Sequence, residues 1–205
     1  MPEESPDDVA VAASPIGRRI AVIGNTSSGK STLGERLARL LDVSFVEMDA
    51  INWQPNWVSL VEIDPEEFER RLGEATSGDG WVTAGSYRSF AQRVFWPRLE
   101  TVIWLDPPLW RLIWRVLSRS WRRWRSKELL WGTNYERFFP QLAIWRKADS
   151  LVWWAVTQRR KKRDEYLAAM ADPQWAHIRF VRLRSLEEVE LFLEGVRQAL
   201  PGADS

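Results

Sequence analysis

The sequence contains no cysteine. Disulfides, thiolate metal sites and cysteine nucleophiles are excluded together, and the chain is expected in a reducing cytoplasm. Histidine is almost as scarce. His177 stands alone in a strand-like stretch, far from any motif, and is expected to be structural. Mechanisms that pass protons through histidine are therefore poor candidates. No uncharged apolar run approaches the length needed to span a bilayer, and the N-terminus lacks a signal-peptide pattern, so no membrane partner is expected. Net charge is lacking too. Twenty-nine basic and 28 acidic residues leave +1, which argues against a surface built as a whole for nucleic acid.

The composition present, 45% apolar and 28% charged over 205 residues, suits one soluble domain with a substantial core. Fourteen tryptophans are unusual. Trp110, Trp114, Leu117, Trp121 and Trp124 fall at helical spacing and read as a stripe used for core or interface packing, with base stacking as the lesser alternative.

One stretch organises the rest. Gly24-Asn25-Thr26-Ser27-Ser28-Gly29-Lys30-Ser31-Thr32 fits the pattern G-x-x-x-x-G-K-S/T. Arg19 to Ile23 before it is a short apolar run of the buried-strand type, and Leu33, Leu37, Leu40 and Leu41 after it repeat at helical spacing. Strand, glycine-rich turn and helix together make a phosphate site. Glycines permit the tight backbone path, successive N–H groups wrap phosphate oxygens, and the helix start adds its positive dipole end. Lys30 would reach the β- and γ-phosphates and the Ser31 hydroxyl would ligate Mg2+, so the expected ligands are ATP and magnesium.

Residues 1–17 carry Pro, Ser, Ala and acids without periodicity and read as a disordered tail ahead of a single domain over 18–200. A helix is expected from Lys30 to Leu41, a second strand at Ser44 to Glu47, and Met48-Asp49-Ala50 at its C-terminal edge. Ile51 to Trp57 reads as an irregular covering loop. Asp64-Pro65 opens a helix to about Thr76, Trp81 to Ala84 forms the third strand, and Gly85-Ser86-Tyr87-Arg88 follows it. Ser89 to Trp96 is a short helix, Thr101 to Leu105 the fourth strand, and Asp106-Pro107-Pro108 caps a helix with Arg111, Arg115, Arg119 and Arg122 along one face. A helical region from about Pro140 to Ala171, a fifth strand at Ile178 to Leu183, and a closing helix after Ser185 with a capping-box pattern complete the chain. The alternation predicts an α/β fold: a doubly wound, five-stranded parallel sheet with helices on both faces. Arg159-Arg160-Lys161-Lys162-Arg163 reads as a solvated helix surface, with an anionic partner as the alternative.

The phosphate loop, Met48-Asp49, the Gly85 to Arg88 segment and the arginine helix occur in an order that resembles the adenylate-kinase-like small-molecule kinases. From Arg19 to about Val196 the chain is similar to the branch called DNA topology modulation proteins. Asp49-Ala50-Ile51-Asn52-Trp53-Gln54-Pro55-Asn56-Trp57 and Leu130-Trp131-Gly132-Thr133-Asn134-Tyr135-Glu136 carry that likeness. The resemblance implies a P-loop kinase fold with a helical lid over about 112–146 and transfer of the ATP γ-phosphoryl to a small-molecule acceptor. It also implies roles. Arg88 would contact the acceptor or the moving phosphoryl, Arg115 would stack on adenine, and Arg119 would face the phosphates. Ala84 stands where related proteins carry a magnesium-holding aspartate, so the metal duty would pass to Asp49, which could alternatively orient an acceptor hydroxyl as general base. Asp106 is a further acid but reads better as a helix cap. The second reading is a catalytically weak, nucleotide-dependent regulatory or DNA-associated protein, which Ala84 and the two basic clusters favour. Nucleic acid is the less favoured partner.

Overall fold

The computed structural model describes residues 16–126, 129–130, 134–135 and 151–200. Short runs rich in β-branched and aromatic residues form β1 (Arg19–Gly24), β2 (Ser44–Glu47), β3 (Trp81–Ala84), β4 (Thr101–Leu105) and β5 (Arg179–Leu183). All pair in parallel, in the order β2-β3-β1-β4-β5. This is the expected five-stranded sheet. The described α-helices are α1 (Lys30–Leu41), α2 (Met48–Asn52), α3 (Leu60–Ile63), α4 (Pro65–Ala75), α5 (Arg88–Val94), α6 (Leu109–Ser126), α7 (Leu151–Ala171) and, after the last strand, α8 (Leu186–Gln198).

Strand alternation divides the core. Ile20 and Val22 point to one face and pack with Leu33 and Leu37 of α1 and Phe192 and Val196 of α8. Ala21 and Ile23 point to the other, into a cluster with Phe68 and Leu72 of α4, Phe95, and Tyr166 and Ala169 of α7. Both faces are therefore covered, which a parallel sheet requires. Helix starts follow their local chemistry. Asp64 Oδ1 accepts the Glu67 N–H at 3.0 Å ahead of Pro65, and the Ser185 hydroxyl accepts the Glu188 N–H at 3.0 Å.

Several expectations change. Of the expected tail, residues 1–15 lie outside the described residues, but Ile16 is buried at 6% exposure and its carbonyl accepts the Thr101 hydroxyl. The ordered chain thus includes Ile16, because β4 offers it both an apolar seat and a donor. Thr101→Val is expected to cost about 1–2 kcal/mol in urea denaturation, since it leaves that buried carbonyl without its partner. The covering loop is more regular than expected. Trp53–Gln54 and Val58–Ser59 pair as a small antiparallel ribbon, turned by Asn56 and Trp57, both with φ of 61°. Asp106 does more than the expected capping role. Its carboxylate pairs with Arg182 of the neighbouring β5 and lies 3.8 Å from Arg163, because β4 and β5 end side by side.

The tryptophans split by position. Trp81, Trp96, Trp104 and Trp175 enter the core, where Trp96 and Trp175 meet edge-on at 5.0 Å. On α6 the buried face is Leu112 and Val116, one turn apart, while Trp110, Trp114 and Trp121 are exposed. Core packing is therefore excluded for those three, and the Trp124 side chain lies outside the described residues. His177 is structural: its Nε2 meets the Trp96 carbonyl at 3.2 Å. Of the expected lid, the described parts are the C-terminal portion of α6 and a two-residue ribbon pairing Leu129–Leu130 with Asn134–Tyr135. Residues 127–128, 131–133 and 136–150, including the start of the helix expected from Pro140, lie outside the described residues.

Candidate functional site

The loop from Gly24 to Gly29 leaves the C-terminal end of the central strand β1 and enters α1 at Lys30. Two glycines make its path feasible. Gly24 has φ of 149°, and a Cβ there would lie 2.6 Å from the Leu105 carbonyl oxygen; Gly29 has φ of 103°. Asn25 organises the turn from within. Its Oδ1 accepts the Thr26 N–H at 2.8 Å, and its carbonyl accepts from the Ser28 N–H at 3.2 Å and from Lys30 Nζ at 2.9 Å. Helix α1 has no side-chain cap, so the N–H groups of Lys30, Ser31 and Thr32 in its first turn have no intrahelical acceptor. The Ser27 and Ser28 hydroxyls are buried without a partner among the described residues. Donors gathered around a positive helix end form a cradle for an anion.

Two carboxylates flank this cradle from β2 and α2. Glu47, which the sequence analysis placed only as a strand residue, lies beside the Ser31 hydroxyl, close enough for that hydroxyl to favour its charged form. Burial pushes its carboxyl up to about 6 and the charge of Asp49 adds to this, while Ser31 and Lys30 oppose it. In the sheet, Glu47 stands directly beside Ala84. The carboxylate beside the loop serine is thus Glu47 on β2, and Asp49 is engaged elsewhere. Tyr87 Oη donates to Asp49 Oδ1 at 2.7 Å. Burial first, then the Asp49 charge, push the Tyr87 phenol far above its ordinary range, so it stays a donor. The buried Asn52 lies near this phenol, and its Oδ1 accepts from the Ser59 hydroxyl at 3.2 Å and the Val61 N–H at 3.0 Å. Asn52 therefore ties the covering ribbon to α3, beside the Asp49–Tyr87 pair. Tyr87→Phe is expected to lower stability by about 2 kcal/mol, read by chemical denaturation, because the bond it removes ends on a carboxylate.

The predicted arginines take different stations. Arg115 of α6 donates from Nη1 to the Ser28 carbonyl at 3.0 Å, along the flank of the loop. Arg88 opens α5, donates to the Glu165 carbonyl at 3.1 Å and lies 3.8 Å from the Glu165 carboxylate, so it joins the end of β3 to α7. Arg119 is one turn beyond Arg115 on α6, and its side chain lies outside the described residues. Helix α7 supplies two groups that the sequence reading missed. Tyr166 is buried within reach of Ser86 and the Gly24 backbone, its phenol pushed up to about 12 by burial. Lys162 lines a cleft with Asn25, Asp106 and Leu112. The signal was present. Lys162, Tyr166 and Ala169 are spaced i, i+4, i+7, so one helical face carries all three inward.

The residues present fit a magnesium nucleotide. The loop offers backbone and hydroxyl donors for phosphate oxygens, and the oxygen donors nearby are the Ser31 hydroxyl with Glu47. That small, hard donor set suits magnesium, whose remaining ligands are water and phosphate. Among the described residues no cluster of three or more side chains could hold a metal by itself, and no helix is long and apolar enough to cross a membrane.

No protein-family model and no curated protein sequence matches the chain. Solved structures do. A gluconokinase from Sinorhizobium meliloti aligns over 90% of this chain and 94% of its own, with a TM-score of 0.50 and 19% identity. A shikimate kinase from Acinetobacter baumannii in complex with shikimate covers 93% and 96% at a TM-score of 0.48 and 18% identity. A sugar kinase from a Janibacter species covers 92% and 99% at 0.48 and 17%. With its parallel sheet, loop and flanking helices, the chain has the fold of the P-loop small-molecule kinases.

Proposed function

We propose that this chain is a cytoplasmic phosphotransferase that binds ATP and magnesium at the Gly24–Thr32 loop and phosphorylates a small hydroxyl-bearing acceptor held against Asp49. The observation that carries the reading is the meeting, at the C-terminal edge of the sheet, of an anion cradle with two differently placed carboxylates: Glu47 beside the Ser31 hydroxyl and Asp49 bonded to Tyr87. ATP with magnesium would supply the transferable phosphoryl group and neutralise charge on it. The chain's own residues hold and orient. Loop N–H groups and Lys30 would bind the β- and γ-phosphates, and Ser31 with Glu47 would position the metal's oxygen ligands. Tyr87 occupies Asp49 Oδ1, which leaves Oδ2 to accept the acceptor's hydroxyl proton. Arg115 lies on the loop flank, suited to the nucleotide's base, and Arg88 with Arg119 would close on the acceptor and phosphates. The finer likeness to DNA topology modulation proteins belongs to this reading and rests on the sequence segments quoted for it.

The test is ATP turnover with and without a panel of nucleosides, nucleotides, sugars and hydroxy acids. Acceptor-dependent turnover is the expected result. Tight ATP binding with no acceptor effect would instead select the regulatory reading, for which the exposed Trp110, Trp114 and Trp121 beside Arg111, Arg122 and Arg125 are the supporting surface. Glu47→Gln is expected to lower turnover by roughly 10–100-fold, as losing a metal-positioning group does. It should not reduce thermal stability, because the carboxylate it neutralises is disfavoured by burial. Parental turnover in the Glu47→Gln enzyme would remove Glu47 from the site.

A further inference from the structure

Helix α6 has two sides. Leu112 and Val116 are buried and anchor it to the body of the protein, and Arg115 beside them reaches the phosphate loop. The opposite side carries Trp110, Trp114 and Trp121, at 63%, 62% and 47% exposure. At about 100° per residue these three fall within roughly 40° of arc and run about 16 Å along the axis. Ile113 and Leu117, both half-buried, widen the apolar arc on one flank. Arg111, Arg122 and Arg125 line the other. Arg122 and Arg125 are exposed, and the Arg111 guanidinium stands over the Trp110 ring, 5.1 Å from its centroid. From Leu109 to Ser126 the helix holds six arginines and no acid, in a chain whose net charge is only +1. Large rings presented to water along one basic helix mark a surface that meets something.

We propose that this face of α6 docks the protein on an anionic lipid surface, with the tryptophans seated at headgroup level and the arginines on the lipid phosphates. The inference goes beyond the kinase reading and does not rest on it. The lack of a spanning run bears only on crossing a bilayer. A helix that lies in the interface needs an apolar stripe and a basic flank, and this one has both. Tryptophan suits the interface, because its apolar ring and its N–H are satisfied there together. Charge complementarity selects among the occupants. Two copies of this face would bring arginine against arginine with no acid to answer, which opposes a dimer through α6. Single-stranded nucleic acid would answer the arginines but needs bare ring faces for its bases. Arg111 already covers one face of Trp110, and Ile113 and Leu117 offer a base no planar surface. Acyl chains pack against aliphatic and aromatic side chains alike, and lipid phosphates take the arginines.

Co-sedimentation with vesicles of phosphatidylglycerol and phosphatidylcholine in equal parts, against pure phosphatidylcholine, tests the proposal. The proteins are the parent, a Trp110→Ser/Trp114→Ser variant and an Arg122→Gln/Arg125→Gln variant. The parent is expected to bind the mixed vesicles about tenfold or more tightly than the neutral ones, and to be released as salt rises. Each double variant should lose about tenfold in affinity for the mixed vesicles. Both should melt at the parental temperature, because the side chains they change are exposed. A parent that leaves the mixed vesicles unbound would overturn the proposal. A loss confined to the arginine variant would overturn it too, since charge attraction alone would then explain the binding. A lowered melting temperature in the tryptophan variant would show that the rings are packed rather than presented, with the same consequence. Anisotropy with a labelled single-stranded oligonucleotide and sedimentation equilibrium address the other occupants. Oligonucleotide binding or a parental dimer, lost in the tryptophan variant and found without vesicle binding, would overturn the proposal for nucleic acid or a second copy. None of these outcomes bears on the nucleotide loop, which α6 meets through Arg115.

Discussion

Lys30→Met is expected to reduce ATP turnover by about a thousandfold and to weaken triphosphate binding far more than diphosphate binding. The ammonium leaves the first turn of α1 and folds back over the loop to the Asn25 carbonyl, 2.9 Å away. A cation parked there lies above the cradle, where the β- and γ-phosphates would sit. Methionine keeps the length of the side chain and removes the charge, so loop geometry should persist. Melting temperature separates an electrostatic effect from a collapsed loop. A folded Lys30→Met protein with parental ATP affinity would sink the assignment of this loop as a triphosphate site.

Ala84→Asp is expected to destabilise the protein by roughly 3 kcal/mol or more, read by urea denaturation at pH 7. Related kinases, by the resemblance described, carry an aspartate here. In this chain the position is 0% exposed and paired in the sheet with Glu47. A second carboxylate would therefore lie beside one that burial already disfavours, and both could not ionise without cost. The loss should shrink at pH 5, below the Glu47 value of about 6, where protonation relieves the repulsion. The pairing yields a sharper test. If the metal-positioning acid has moved one strand over, from β3 to β2, then Glu47→Gln combined with Ala84→Asp moves it back. The double variant should be more stable than Ala84→Asp alone and should turn over faster than Glu47→Gln alone. Strictly additive losses would argue that the two positions do not share a role.

Much of this molecule is readable from local pattern. Ile20 and Val22 alternate with Ala21 and Ile23, and that period of two already requires two covered faces. The Gly24 to Thr32 run is legible without tertiary information, because positive φ, the Asn25 turn and the uncapped helix start are all made by residues adjacent in sequence. The same holds for Asp64-Pro65 and Ser185, whose caps close within three residues.

What the sequence by itself determined is therefore the sheet, its order of elements and the anion cradle, because each depends on contacts a few residues long or on a hydrophobic period. The tertiary structure alone decided the rest. Glu47 became the partner of Ser31 only when β2 was laid outside β3, beside Ala84. Asp49 found Tyr87, 38 residues away, and Asp106 found Arg182, 76 residues away, so neither pairing leaves a mark in local spacing. Lys162 looked like one more charge in a solvated run until α7 docked through Tyr166 and turned one basic residue of the run toward Lys30. On α6, hydrophobic content marked a helix but not its buried side, and Leu112 and Val116 went inward while the tryptophans stayed outside. The reason is common to all five. Burial and charge are properties of what lies across the gap, and the chain does not define that gap until its distant elements are packed.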